Sequence, residues 1–365
     1  MLLTTTSKLQ LPTTEGIKYA GSKRKILPRI AEILSDLSVH RVLDGFSGTT
    51  RVSQLFAQLG YQTTANDMSD WSQVFGECYL LNQRNPTHYL PIIAHLNGLE
   101  GCDGWFTEHY GGDVGGSEKR PFQRKNTQKL DAIRDEIDRM NLDSTEKAVA
   151  LTSLIRALDE VDSTLGHHAS YLADWSPRSH KDLVLKLPNV VKHEQQNTVI
   201  KGDIFEAVRE KRFDLAYFDP PYGSNNDKMP SSRVRYKSYY HIWTSVVRND
   251  KPALFGKVGR RNDSRDRTSP SVFEDFRKDT DGHFVALQAI ERLIEVTDAR
   301  YILLSYSSGG RATKEALCDM FNRSGTLLQV VEIDYTKNVM GAMRWTNEWV
   351  NSDGKCHEFL FLMEK

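Results

Sequence analysis

A chain of 365 residues with 48 basic and 48 acidic side chains has no net charge, so any nucleic-acid contact must rest on local patches. It has no apolar stretch in its first thirty residues and no run near the roughly 20 apolar residues of a membrane span; it is expected to be cytoplasmic, with one large or two modest domains. Its four cysteines, Cys78, Cys102, Cys318 and Cys356, are widely spaced without Cys-x-x-Cys, which indicates neither a disulfide framework nor a zinc site; buried thiols are expected.

Residues 1–14 are Thr-rich and aperiodic, and read as a loose terminus. Ile17-Lys18-Tyr19-Ala20-Gly21-Ser22-Lys23-Arg24-Lys25 then feeds the helical pattern Ile26, Leu27, Ile30, Ile33, Leu34 and Leu37. Free N–H groups and the helix dipole make such a basic turn a ready anion site; a solvated loop is the plainer alternative. Arg41-Val42-Leu43-Asp44-Gly45-Phe46-Ser47-Gly48-Thr49-Thr50, followed by Val52, Leu55, Phe56 and Leu59 and a stop at Gly60, spells strand, Gly-rich turn and helix, the opening unit of a nucleotide-binding α/β fold. The next strand, 61–65, runs into Asn66-Asp67, about 20 residues on, where an acid commonly binds ribose hydroxyls; a helix cap is the simpler role.

A helix over 71–85 carries Trp71, Val74, Phe75, Cys78, Tyr79 and Leu81. From 86 to 195 the α/β alternation lapses. Residues 100–126 are rich in glycine, aromatics and charge, and helices are predicted over 127–140 and 144–161, the second capped through Ser144 and Glu146. His167 and His168 adjoin, but no carboxylate or cysteine sits at ligand spacing, so no metal is expected.

The sheet resumes at 197–205, a short strand ending in Gly202-Asp203. It is followed by Phe213-Asp214-Leu215-Ala216-Tyr217-Phe218-Asp219-Pro220-Pro221-Tyr222, an apolar strand that stops on a carboxylate, two prolines and a ring. The prolines lock φ, lack N–H groups and restrict Asp219 to extended backbone. The Asp219 carboxylate and Pro220 carbonyl are then two fixed acceptors with no neighbouring donor, suited to an amino group with two hydrogens, and Tyr222 offers a stacking face. A planar ring with an exocyclic amino group is adenine or cytosine; the alternative is a rigid turn after a core strand.

Residues 228–267 set Lys228, Arg233, Arg235, Lys237, Arg248, Lys251, Lys257, Arg260, Arg261, Arg265 and Arg267 against Asp250, Asp263 and Asp266, with Tyr236, Tyr239, Tyr240, His241 and Trp243 interleaved. Such a mixture suits phosphates and unstacked bases; a solvated surface loop is the alternative. A helix near 284–296, a strand at 301–307, a helix near 313–321, and strands at 327–335 and 357–363 complete a βαβαβ pattern with an inserted helical block. The last two are expected to form an antiparallel hairpin spanning a loop at 344–354.

Asp219-Pro220-Pro221-Tyr222, Lys18-Tyr19-Ala20-Gly21-Ser22-Lys23 and Asp44-x-Phe46-x-Gly48 together resemble the DNA adenine-N6 methyltransferases of the Dam type, the alpha group. That resemblance covers most of the chain. It implies an α/β fold: a Rossmann-like S-adenosylmethionine-dependent methyltransferase sheet with an inserted helical target-recognition region. It also implies site-specific methyl transfer to N6 of a flipped adenine. The catalytic domain would comprise 1–85 and 196–365, the insertion 86–195, and a basic DNA-contacting segment 223–280. Asp219, Pro220, Pro221 and Tyr222 would be catalytic. Tyr19, Gly21, Lys23, Asp44, Phe46, Ser47, Gly48 and Thr49 would belong to the cofactor site, with Lys23 and the Gly48 turn at the methionine end. Asp67 would hold the ribose and Asp203 the adenine amino group, with Ile204 or Phe205 beside the ring. Lys237, Arg260, Arg261 and Arg265 would contact DNA.

The implied cofactor is S-adenosyl-L-methionine and the implied partner double-stranded DNA, with the protein on the nucleoid when bound; a cognate restriction endonuclease stays open as a further partner, and no membrane or metal is implied. Two departures stand out. Tyr19 occupies a position where the family often has Trp, which keeps a stacking face, and Thr50 one where a second glycine is usual, which can narrow the cofactor loop without abolishing binding. Cytosine-N4 methylation uses the same chemistry and stays open, as does an inactive DNA-binding relative; an RNA or protein methyltransferase is disfavoured by the insertion.

Overall fold

Alternating strand and helix patterns fold into one open sheet covered on both faces. The computed structural model describes residues 11–116, 120–223, 236–265, 271–275, 277–280, 282, 284–335 and 356–365. The expectations for residues 1–10 and 344–354, and Lys228, Arg233, Arg235, Asp266 and Arg267, therefore lie outside the described residues. Strands β1 (Arg41–Asp44), β2 (Gln62–Asp67), β3 (Thr198–Lys201), β4 (Arg212–Phe218) and β5 (Asp298–Ser307) pair in parallel. Strands β6 (Thr326–Tyr335) and β7 (Cys356–Glu364) form the antiparallel hairpin, and β7 inserts between β6 and β5. The sheet order is β6-β7-β5-β4-β1-β2-β3. Chain order reverses between β1 and β4, so a ligand crevice belongs at the carboxyl ends of those two strands.

Strand alternation sorts the core into two layers. Leu215 and Tyr217 of β4, Leu303 of β5 and Leu360 of β7 face α1 (Leu27–Ser35) and α2 (Arg51–Gln58) through Ile30, Leu34, Leu55 and Phe56. Ala216 and Phe218, Ile302 and Leu304, and Phe361 pack instead with Ile290, Leu293, Met320 and Phe321, which lie on the later helices. A period of two on each strand is what burial on both faces of a sheet requires.

The inserted block contributes α4 (Leu90–Gly98), α5 (Trp105–Tyr110), α6 (Arg124–Arg139) and α7 (Ser144–Val161) after α3 (Asp70–Leu80). Helix α3 is shorter than the predicted 71–85. Helix α4 was not predicted: it buries only Ile93 and Leu96, too few to show a period. The cap of α7 is Asp143 rather than Ser144. Its carboxylate accepts from Thr145 N and Glu146 N, and the Glu146 carboxylate accepts from Asp143 N, each at 3.0 Å, a reciprocal capping box.

No break in packing separates this block from the sheet. Trp71, Phe75 and Tyr79 of α3 share one apolar cluster with Phe106, Tyr110, Leu130, Leu154 and Leu158, and with Trp243 of the later segment.

Beyond β3 come α8 (Ile204–Ala207), α9 (Tyr236–Tyr239), α10 (His241–Arg248), α11 (Val285–Val296) and α12 (Lys314–Ser324). Cys78 is buried and its thiol is pushed up to about 12 by that burial, but Cys102 is exposed in the loop between α4 and α5, and Cys318 is half-buried, which corrects the expectation of buried thiols. Among the described residues no helix is long and apolar enough to cross a membrane.

Candidate active site

Buried from Leu215 to Phe218, β4 delivers Asp219 to the switch point, and Gly45 N donates to Tyr217 O at 2.9 Å to fasten the neighbouring turn. The Asp219 carboxylate is held by Oδ1, which meets the Lys23 ammonium at 2.9 Å and the Tyr222 hydroxyl. Among the described residues Oδ2 has no hydrogen-bond partner. Lys23 Nζ also donates to Glu358 Oε1 of β7 at 2.6 Å and to the Tyr222 hydroxyl at 2.5 Å. That hydroxyl, with one proton to give, lies between Asp219 and Glu358 Oε1 (2.6 Å), and Ser305 Oγ donates to Glu358 Oε1 at 2.6 Å.

Two carboxylates thus share one ammonium in a buried site. Burial pushes the Asp219 carboxyl up to about 6, with Lys23 opposing and Glu358 adding to the rise. Glu358 is held low: burial works against its charge, but Lys23 and its other donors outweigh that. Lys23, resisted by burial yet flanked by both acids, is held above the ordinary lysine value.

A cavity of about 610 Å³ opens beside this centre, a size typical of small-molecule sites. Its walls include Tyr19, Gly21 and Lys23, the turn from Asp44 through Phe46, Ser47, Gly48 and Thr49, then Asp67, Asp203, Ile204, Asp219, Pro221 and Lys237. The turn needs its glycines. A Cβ on Gly45 would lie 2.7 Å from the Phe218 ring, and Gly48 has φ +48° with the Tyr19 ring 3.3 Å from where its Cβ would be. Asp67 ties the turn to β2 by accepting from Gly48 N (2.9 Å) and Ser69 N (2.8 Å).

The model of the D12 class N6 adenine-specific DNA methyltransferases matches residues 19–302 of this chain. The chain belongs to that family. It is 27% identical to Modification methylase StsI of Streptococcus sanguinis over 96% of this chain and 52% of that one, so it spans about half that relative's length. It is 25% identical to Type II methyltransferase M.NlaIII of Neisseria lactamica over 96% of this chain and 99% of that one. Among solved structures, the hMettl16 catalytic domain in complex with a MAT2A 3'UTR hairpin aligns over 98% of this chain and 76% of that one at TM-score 0.34 and 9% identity, too distant to carry an argument.

Membership among the D12 methyltransferases implies S-adenosylmethionine as methyl donor, and the residues fit it. Asp44 Oδ1 and Asn66 Oδ1 are buried acceptors without a hydrogen-bond partner, both on residues of the cavity wall, where a ligand bearing a sulfonium and an ammonium needs anionic or acceptor groups. Burial pushes the Asp44 carboxyl up to about 7, against the Ser53 hydroxyl that donates to its other oxygen at 2.5 Å.

Several expectations change in this D12 methyltransferase. Thr50, at φ +60°, is fully buried and is not part of the cavity wall, its hydroxyl donating to Thr49 O (2.7 Å) and accepting from Gln54 Nε2 (3.0 Å), so it occupies the left-handed position that makes glycine usual there. Tyr19 keeps an aromatic surface, stacked on Tyr240 at 4.8 Å. The Lys23 ammonium, on the cavity wall, pairs with Asp219 and Glu358. Asp203 lines the cavity and also caps α8 through Phe205 N (2.8 Å).

Ile204 is on the wall, whereas Phe205 turns away to stack on Phe273 at 5.9 Å. Pro220 and Tyr222 are not on the wall either; the Tyr222 ring lies against Tyr306 at 4.7 Å. Arg261 cannot be a DNA contact: it is buried and clamped by Asp250 (2.6 and 2.7 Å) and Asp263 (3.0 Å), acids whose chelating reach a simple charge ratio does not register. Arg260 and Arg265 pack over the Phe255 ring at 5.0 and 4.2 Å, Arg265 exposed and Arg260 half-buried.

Sequence reading missed Glu358 and Ser305. The signal for Glu358 was available: an acid inside the apolar run Phe359-Leu360-Phe361-Leu362-Met363 and its flank marks a buried charge that needs partners.

Proposed function

We propose that this D12 methyltransferase transfers a methyl group from S-adenosylmethionine to N6 of an adenine flipped out of double-stranded DNA at a specific sequence. The observation that carries the reading is that Asp219, with Oδ2 open, lines the same cavity as the glycine turn and its unpartnered acceptors. When bound, S-adenosylmethionine supplies an electrophilic methyl group on a sulfonium. Asp44, Phe46, Ser47, Gly48, Thr49, Asp67, Asp203 and Ile204 hold it. Asp219 Oδ2 accepts a hydrogen of the adenine amino group, concentrating its lone pair and fixing its direction. Flipping costs a few kcal/mol, which contacts to the distorted backbone offset.

Residues 1–85 and 196–365 serve as the catalytic part in this reading, and 86–195 with the basic segment as the target-recognition part. The motif order supports the Dam-type group. The modification methylase and type II methyltransferase names of the relatives support a modification role with a cognate restriction endonuclease as partner.

The test is expression in a host lacking adenine methylation, followed by modification-sensitive sequencing of its genome. N6-methyladenine at one sequence motif is expected, and none from Asp219→Ala, with S-adenosylmethionine binding by that variant largely retained. Methylation of cytosine, or an active Asp219→Ala, would refute the reading.

A further inference from the structure

Glu358 is out of character with its strand. β7 is interior to the sheet and apolar from Phe359 to Met363, and an anion there is tolerated only if fixed donors replace water. Lys23 Nζ and Ser305 Oγ do so on a single oxygen, each 2.6 Å from Oε1, and the Tyr222 hydroxyl, also 2.6 Å away, has one proton to give to this oxygen or to Asp219. A purely structural ion pair would match one cation to one anion. Here the cation is also 2.9 Å from Asp219, so the centre holds two negative charges and one positive. Without Glu358, Lys23 would close on Asp219 alone, and an ammonium is a far stronger donor than an adenine amino group. The acceptor that the reaction requires would then be quenched by its own neighbour.

We propose that Glu358 is a positioning residue for methyl transfer: by sharing the Lys23 ammonium with Asp219 Oδ1, it fixes Asp219 through that oxygen and keeps Oδ2 open to the substrate amino group. This rests on the adenine-methylation reading of the site. The groups that face Asp219 are Lys23 ahead of α1, Glu358 on β7, Tyr222 on its own loop, Tyr217 on β4, Asp44 on β1, Tyr19, and Tyr236 on α9. Lys23 and Glu358 are the charged groups nearest to it, one lowering and the other raising its proton affinity, so removal of Glu358 makes Asp219 more acidic and a weaker acceptor.

The experiment is the pH profile of methyl transfer from labelled S-adenosylmethionine to DNA by the full chain, with cofactor affinity measured by calorimetry. Glu358→Gln is expected to lower kcat about tenfold at pH 7.5, to hold the Kd for S-adenosylmethionine within about threefold, and to move the acid limb of kcat/KM down by about one pH unit. A packing role alone would lower kcat and leave the limb in place; that result, or wild-type kcat, overturns the proposal. Should Glu358→Gln fail to fold, Glu358→Asp carries the test. It keeps the charge but withdraws the oxygen by a methylene, and is expected to lower kcat about threefold with the limb unmoved; wild-type kcat in that variant overturns the proposal. If the wild-type chain methylates no adenine, the functional reading fails and takes this one with it, a result distinct from an active wild type with an indifferent Glu358.

Discussion

At the scale of single residues, the two oxygens of Asp219 have different neighbours, and that asymmetry divides the labour of the side chains around it. Tyr222, read as a stacking face, has its ring against Tyr306 and its hydroxyl on Glu358. Tyr236 lines the cavity, stacked on Tyr240. If the flipped base stacks on Tyr236, Tyr236→Ala raises KM for DNA about tenfold or more, since a base on an aromatic ring is worth about 1–3 kcal/mol. Tyr222→Phe, which spares the ring and deletes the hydroxyl, is expected to lower kcat and leave KM. Steady-state kinetics on both variants decides between them, and the opposite pattern would return the stacking role to Tyr222. Asp219 was legible because two prolines and an apolar strand advertise it from four consecutive positions. Ser305 was not, since a serine in an apolar strand is indistinguishable by sequence from one that merely fills space.

Among the elements, strands and long helices were read correctly where periodicity was strong, and the exceptions have local causes. Helix α4 buries only two side chains, so no stripe announces it. The basic segment looked like a uniform DNA surface because charge counting cannot see pairing. Its hairpin from Leu254 to Arg261 is held by Arg261 between Asp250 and Asp263. Arg261→Ala is therefore expected to cost about 2–3 kcal/mol of stability, less than a fully buried pair because both acids are partly exposed. Lys237→Ala should instead leave the melting temperature unchanged and reduce the salt dependence of DNA affinity by about one unit of slope. Thermal melts and salt titrations of the two variants check both outcomes.

The helix α10 has its own acid sensitivity. Burial holds His241 down to about 3 and His168, against Trp243 at 4.5 Å, well below its ordinary value. Unfolded histidines take up protons near pH 6.5 and the folded ones refuse them, so the associated stability is complete above that value and is lost as pH falls toward 3. Each contributes a slope of up to about 1.4 kcal/mol per pH unit. The melting temperature is expected to fall between pH 7.5 and 5, and less steeply in His241→Gln.

For the molecule as a whole, the α/β architecture was legible because strand-turn-helix units repeat locally, whereas the position of β7 between β5 and β6 depends on pairings that no local pattern encodes. The same holds for the inserted block, which sequence alternation sets apart but which packing joins to α3 and α10. Excision of residues 86–195 is expected to leave a chain without cooperative unfolding by circular dichroism, since it would strip Trp71, Phe75 and Tyr79 of their cover; a sharply melting remnant would show the sheet to be autonomous.

Lys23 and Glu358 stand 335 positions apart and meet in one buried contact. A ribosome must therefore carry the chain past residue 358 before the acceptor at Asp219 can be set, and the strand bearing that residue must then enter the interior of a sheet whose other members were made earlier. Long-range closures of this kind are slow to form. A chain that stops short of residue 358 carries the glycine turn and Asp219 without the carboxylate that positions them, and is expected to transfer methyl groups at a small fraction of the full rate.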